Sequence, residues 1–218
     1  GAVLVSDDDR YDSPQLLAML HHKVHDEVPT ADGRMRSISE EIQFVTIAPD
    51  GTTSDAGAAP YLDMRPATED EQKRIEELKE ADWLKDDLLQ KVRRHAGETL
   101  AASHTERVRA RRLAHLDKIE EQVRLRLSKD TRYWAGRAAK YEQDIRAGKD
   151  KVLAKRQAEE RAQRSAERLE QRISALKRER AIHGGATEVI GGALIIPAHL
   201  LADPHGVKPS AFAEDSAK

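Results

Sequence analysis

The chain has 218 residues, 39% hydrophobic and 35% charged, with a formal net charge of −2; that supports one modest core, leaves most of the length solvated and argues against a compact enzyme. The absence of cysteine removes disulfides, thiolate nucleophiles and thiolate zinc sites together, in keeping with a reducing compartment. No run approaches the ~20 apolar residues that span a bilayer and no basic-apolar leader opens the sequence, so a cytoplasmic protein without membrane contact is expected.

Gly1–Val5 is a short apolar run stopped by Ser6-Asp7-Asp8-Asp9, which predicts a buried strand. Over 14–28 the apolar residues Leu16, Leu17, Met19, Leu20, Val24 and Val28 admit a helix by spacing, but the later His-Lys-Val-His alternation favours a strand. Ala31-Asp32-Gly33 marks a turn, and Ile38, Ile42, Phe44, Val45 and Ile47 carry a further strand to the turn at Pro49-Asp50-Gly51. Gly51–Ala59 is small and polar and reads as a loop.

Thr68 followed by Glu69-Asp70-Glu71 has the form of a capping box. It opens a helix whose apolar positions are Ile75, Leu78, Leu84, Leu88 and Val92, and which His95-Ala96-Gly97 either closes or interrupts. Leu116, Ile119, Val123, Leu127, Trp134 and Tyr141 then recur at helical spacing in a charged background. A stripe so narrow needs one partner helix. Gly148 suits the left-handed turn past a helix end, and the stripe beyond it, with Leu169, Ile173 and Leu176 among small alanines, supplies the partner. Glu188–Pro197 is a β-rich run that should return to the sheet of the opening strand, and Lys208–Lys218 reads as a polar tail.

The expected fold is therefore α+β. A small antiparallel β-sheet platform occupies 1–67, with strands near 1–5, 14–28 and 37–48, and a connecting helix covers 68–97. An antiparallel coiled-coil hairpin over 98–182, tip near 147–150, is inserted before the last strand, 186–198, and a tail covers 199–218.

Charge is segregated along this plan. Residues 1–97 hold 12 basic and 21 acidic side chains, 98–182 hold 23 and 14, and 183–218 hold 2 and 4. A basic excess confined to the hairpin favours a polyanion, an acidic partner, or docking on the acidic N-terminal segment. The densest cationic stretch, Arg107, Arg109, Arg111, Arg112, Arg124 and Arg126, supplies guanidinium forks that match phosphates. The same arginines also fit a solvated face whose charge is met by Glu120, Glu121, Glu159, Glu160, Glu167 and Glu170.

Other motifs read as structural. Gly148-Lys149 lacks the glycine-rich lead-in and the hydroxyl residue of a phosphate-binding loop. Neighbours among His21, His22 and His25 point to opposite faces of a strand, and Asp7-Asp8-Asp9 lacks calcium-loop spacing. Trp134 lies on the helical stripe and so reads as a core anchor more readily than as a base-stacking platform. No catalytic, cofactor-binding or metal-ligating residue is assigned, and no cofactor is expected.

Gly1–Val5, Tyr61-Leu62-Asp63, Tyr133-Trp134 with Arg137-Ala138, Ala147-Gly148-Lys149 and Gly191–Pro197 together resemble the C-terminal accessory region of bacterial Swi/Snf-type (superfamily II) helicases. The DISARM phage-defence helicase is one such protein, and the C-terminal region of the RNA-polymerase recycling ATPase RapA is similar in architecture. The resemblance implies a parent that couples ATP hydrolysis to movement on double-stranded DNA, in phage defence or transcription. This module would then regulate the motor domains, or contact DNA or another protein. The chain holds no Walker A loop and no Asp-Glu-x-His box, so it is not expected to hydrolyse ATP itself. The alternative is a protein-interaction or scaffolding coiled coil without nucleic-acid contact.

Overall fold

A computed structural model of the protein describes residues 2–76, 81–85 and 87–202. The chain divides into two compact units, Gly1–Val24 with Ser39–Thr105 and Gly184–Lys218, and His25–Ile38 with Glu106–His183. The class is α+β.

The sheet has six strands, β1 (Ala2–Ser6), β2 (Gln15–Pro29), β3 (Met35–Ile47), β4 (Thr53–Asp55), β5 (Arg65–Pro66) and β6 (Ile182–Pro197), in the order β4-β3-β2-β6-β1-β5. β2 settles as a strand because its alternation places Leu20, His22, Val24 and Asp26 inside at every second position. The returning strand joins the sheet, but it lies parallel to β1, with Ala2 opposite Ala193 and Ser6 opposite Pro197. The sheet is therefore mixed, where a purely antiparallel one was expected; parallel neighbours need a long crossover, and the intervening helices provide it. Within the stretch read as a loop, Thr53–Asp55 pairs antiparallel with Val45–Ile47 as β4.

In the first unit the centre of the sheet is buried on both faces. Val3, Val5, Leu194 and Ile196 pack with Ile75 and Leu201, and Leu20, Val45 and Ile47 pack with Leu88 and Val92. The alternate residues Leu17, Phe44 and Ile195 meet Tyr11 on the other side. Two-sided burial explains the unbroken apolar run Ala193–Ile196. Among the described residues, the expected single helix over 68–97 is instead broken, with α1 (Glu69–Arg74), a 3-10 turn (Asp82–Lys85) and α2 (Leu88–Ala96) as separate elements; Leu78 lies outside the described residues. The Asp87 carboxylate accepts from the Gln90 amide and begins α2 afresh. Gly97 closes nothing. It has helical dihedrals, and a π turn, Gly97–Ala101, leads directly into α3 (Ala102–Arg146).

The second unit holds the hairpin of α3 and α4 (Val152–Arg180). Gly148 at φ +82° ends α3 in a Schellman turn, with the Gly148 amide on the Ile145 carbonyl and the Lys149 amide on that of Asp144. The helices run antiparallel, as the Glu142–Lys155 pair near the tip and the Asp117–Arg180 pair near the root show. After the single residue Ala181 the chain enters β6, four residues earlier than expected. Gly184 and Gly185 are therefore strand residues. In place of a featureless tail at 199, α5 (Ala198–Ala202) follows β6; Lys208–Lys218 lies outside the described residues.

Candidate nucleic-acid interface

The hairpin core is built from the residues its periodicity singles out. Leu116 and Leu176 are fully buried, and Ile119, Val123, Leu127, Trp134, Tyr141, Leu169 and Ile173 are half-buried along the seam. Trp134 carries the Arg161 guanidinium from α4 over its ring, 4.4 Å from the centroid, while Arg137 stacks on Tyr141 at 5.0 Å and donates to its hydroxyl at 2.6 Å. Both rings therefore serve the hairpin itself.

The six arginines divide by helical phase. Arg109 donates to Glu106 and to the Ile182 carbonyl, Arg112 donates to Glu179 at 2.9 Å, and Arg124 pairs with Glu120 at 2.7 Å. Arg107, Arg111 and Arg126 are exposed. Glutamates thus engage Arg109, Arg112 and Arg124, in keeping with the solvated-face reading for these three.

Helical phase also reveals cations that counting along the sequence missed. With 3.6 residues per turn, Arg111, Lys118, Arg126, Lys129, Arg132 and Lys140 lie within about 60° of one line along α3, and the row is about 44 Å long. All six are exposed, and among the described residues none makes an ion pair within 4.0 Å. No acidic residue between Arg111 and Lys140 shares that line: Asp117, Glu120, Glu121 and Asp130 fall on the flanks or the opposite side.

Most hairpin carboxylates are already engaged away from the row. Hydrogen bonds from Arg124, and next from Arg180, hold the Glu120 carboxyl below its ordinary range. Lys155, and next Arg146, do the same for Glu142, and Lys149 for Asp144. On α4, Arg156 pairs with Glu160, and Lys155 pairs with Glu159 and with Glu142 of α3. The basic excess of the hairpin is shared by both helices, with 12 basic and 7 acidic side chains on α3 and 9 and 5 on α4; what distinguishes α3 is that six of its cations form an acid-free row.

The first unit contains a polar cluster of a different kind. His22 and His104 are buried and share an Nδ1–Nδ1 hydrogen bond of 2.9 Å; His104 Nε2 meets Ser39 Oγ at 2.9 Å and lies 3.9 Å from Glu41. His104 sits just past the π turn, so the pair ties the start of α3 to β2 and β3 within this unit. Nothing in the sequence joins residues 22 and 104, which are remote in the chain. His21, pointing the other way on β2, pairs with Glu40 at 2.8 Å, and among the described residues no group of three or more ligating side chains gathers around a common point.

No family model matches the chain, and no curated protein matches it.

Proposed function

We propose that this chain is a non-catalytic accessory domain whose hairpin lies against double-stranded DNA. Its setting would be the one the resemblance implies, a Swi/Snf-type DNA helicase or translocase. The observation that carries the reading is the acid-free row Arg111–Lys118–Arg126–Lys129–Arg132–Lys140 on an arm whose carboxylates are largely occupied elsewhere. A straight row of cations suits the regular charge of a duplex, one phosphate per ~1.7 Å of axis. Single strands are held by base stacking on aromatic platforms as well as by charge, and on this face Tyr133 is the one Phe, Trp or Tyr ring among the described residues. Contacts of this kind position a protein on DNA without selecting a sequence.

The test is fluorescence anisotropy of the domain with a labelled duplex over a range of salt. Binding should weaken as salt rises, and reversing Arg111, Lys118 and Lys129 to glutamate should lower affinity at least tenfold and flatten the salt slope by about one unit per residue. Absence of binding at low salt would overturn the direct DNA role. The scaffold reading draws on Leu125 and Tyr133, 61% and 57% exposed on the same face; it calls for an acidic protein surface, and binding to such a surface without any affinity for duplex would favour it.

A further inference from the structure

Leu125 and Tyr133 are 61% and 57% exposed on the face of α3 that carries the cationic row, so that face offers apolar groups as well as charge. They lie two helical turns apart, about 12 Å along α3, with Lys129 midway between them. By phase, Leu125 and Arg132 lean to one side of the Lys129 line, and Arg126 and Tyr133 lean to the other, each by roughly 40–60°. Each flank of the line thus offers one arginine and one apolar group. Tyr133 is also prepositioned: its ring meets Trp134 edge-on at 5.0 Å, and Arg161 holds Trp134 from the other helix.

We propose that this section of α3 seats on the minor groove of duplex DNA. Arg126 and Arg132 reach the phosphates of the two bordering strands, while Leu125 and Tyr133 press on the sugars and base edges between them. The inference rests on the duplex-binding reading and adds a groove and a sequence bias to it. Charge complementarity identifies the occupant, since no acidic side chain between Arg111 and Lys140 lies within about 60° of the Lys129 line, Glu121 and Asp130 falling outside it at about 80° and 100°. The minor groove, about 6 Å wide, accepts apolar side chains where its floor is A·T; at G·C the guanine 2-amino group protrudes and would lose its hydration without gaining an acceptor.

The experiment compares three duplexes of equal length, one A·T-rich, one G·C-rich and one with inosine replacing each guanine, which deletes only the 2-amino group. The unmodified domain should bind the A·T and inosine duplexes alike and the G·C duplex about tenfold more weakly. Leu125→Ser with Tyr133→Ser should abolish the difference and leave the salt slope unchanged, because no charge is altered. Equal, salt-sensitive binding of all three duplexes would overturn the groove seating and leave the duplex-binding reading intact. No binding to any of them would overturn both. Displacement of duplex by polyglutamate at matched charge, together with no preference among the three duplexes, would assign the surface to an acidic protein and likewise overturn the proposal. The inosine comparison uses the unaltered protein, so it decides the matter even if the double variant fails to fold.

Discussion

Glu71 shows how much one side chain can hold. It accepts from the Thr68 amide at 2.8 Å and from both terminal nitrogens of Arg65 at 2.7 and 2.8 Å, while the Thr68 hydroxyl accepts from the Glu71 amide. Arg65 first, and then the Thr68 amide, hold its carboxyl down to about 2, against an ordinary 4.5. Because the folded value is the lower one, this contribution is fully present above pH 4.5 and is lost as the pH falls toward 2. Acid titration followed by thermal melting should show that loss, and Glu71→Gln should flatten the curve over the same window. Gly184 is a second such position. A Cβ there would stand 2.6 Å from Thr105 Oγ1 and 3.3 Å from His22 Nε2, and the Thr105 hydroxyl is committed to the Ala101 carbonyl. Gly184→Ala should cost about 1–3 kcal/mol in chemical denaturation, and Thr105→Ser, which retains the hydroxyl, should give no relief, whereas Thr105→Ala should recover part of the loss. The capping box was legible in the sequence because it is local; the requirement for glycine at 184 was not, because the groups that impose it lie about 80 and 160 residues away.

Among the elements, β6 and the helical hairpin carry the fold of their respective units. Ile195 is fully buried and packs on the face of the sheet that holds Leu17 and Phe44, so Ile195→Ala should destabilise by about 2–5 kcal/mol. Ile190→Ala, at a position 46% exposed on the same strand, should cost far less. In the hairpin, Glu179 accepts from Arg112 on α3 at 2.9 Å and from Arg172 at 2.7 Å, with Arg36 at 3.9 Å. Glu179→Ala leaves these three guanidiniums sharing no carboxylate at this point and should lower the melting midpoint, a loss of about 1–2 kcal/mol. Periodicity identified both helices and Gly148 their turn, since a stripe every three to four residues has only one helical reading. The break-up of 68–97 was less visible: a cap at Asp87 restarts a helix that the apolar spacing alone would have continued.

For the whole molecule, the two hairpin stripes cover one another, with Leu116 and Leu176 fully buried in the described chain. No second copy is needed to complete that core, so mass measurement in solution should find a monomer; a stable dimer would point to the scaffold reading. The α+β class, the long basic hairpin and a strand returning to the sheet of the first were all determined by the sequence itself, because each depends on periodicity, turn chemistry or charge within a continuous stretch. Tertiary structure decided what depends on distant partners. It set β6 parallel to β1, paired His22 with His104, and directed Arg109, Arg112 and Arg124 to carboxylate or carbonyl partners. Linear spacing shows that arginines are dense, whereas the angle around the helix and the reach of each acid decide which of them remain available to bind.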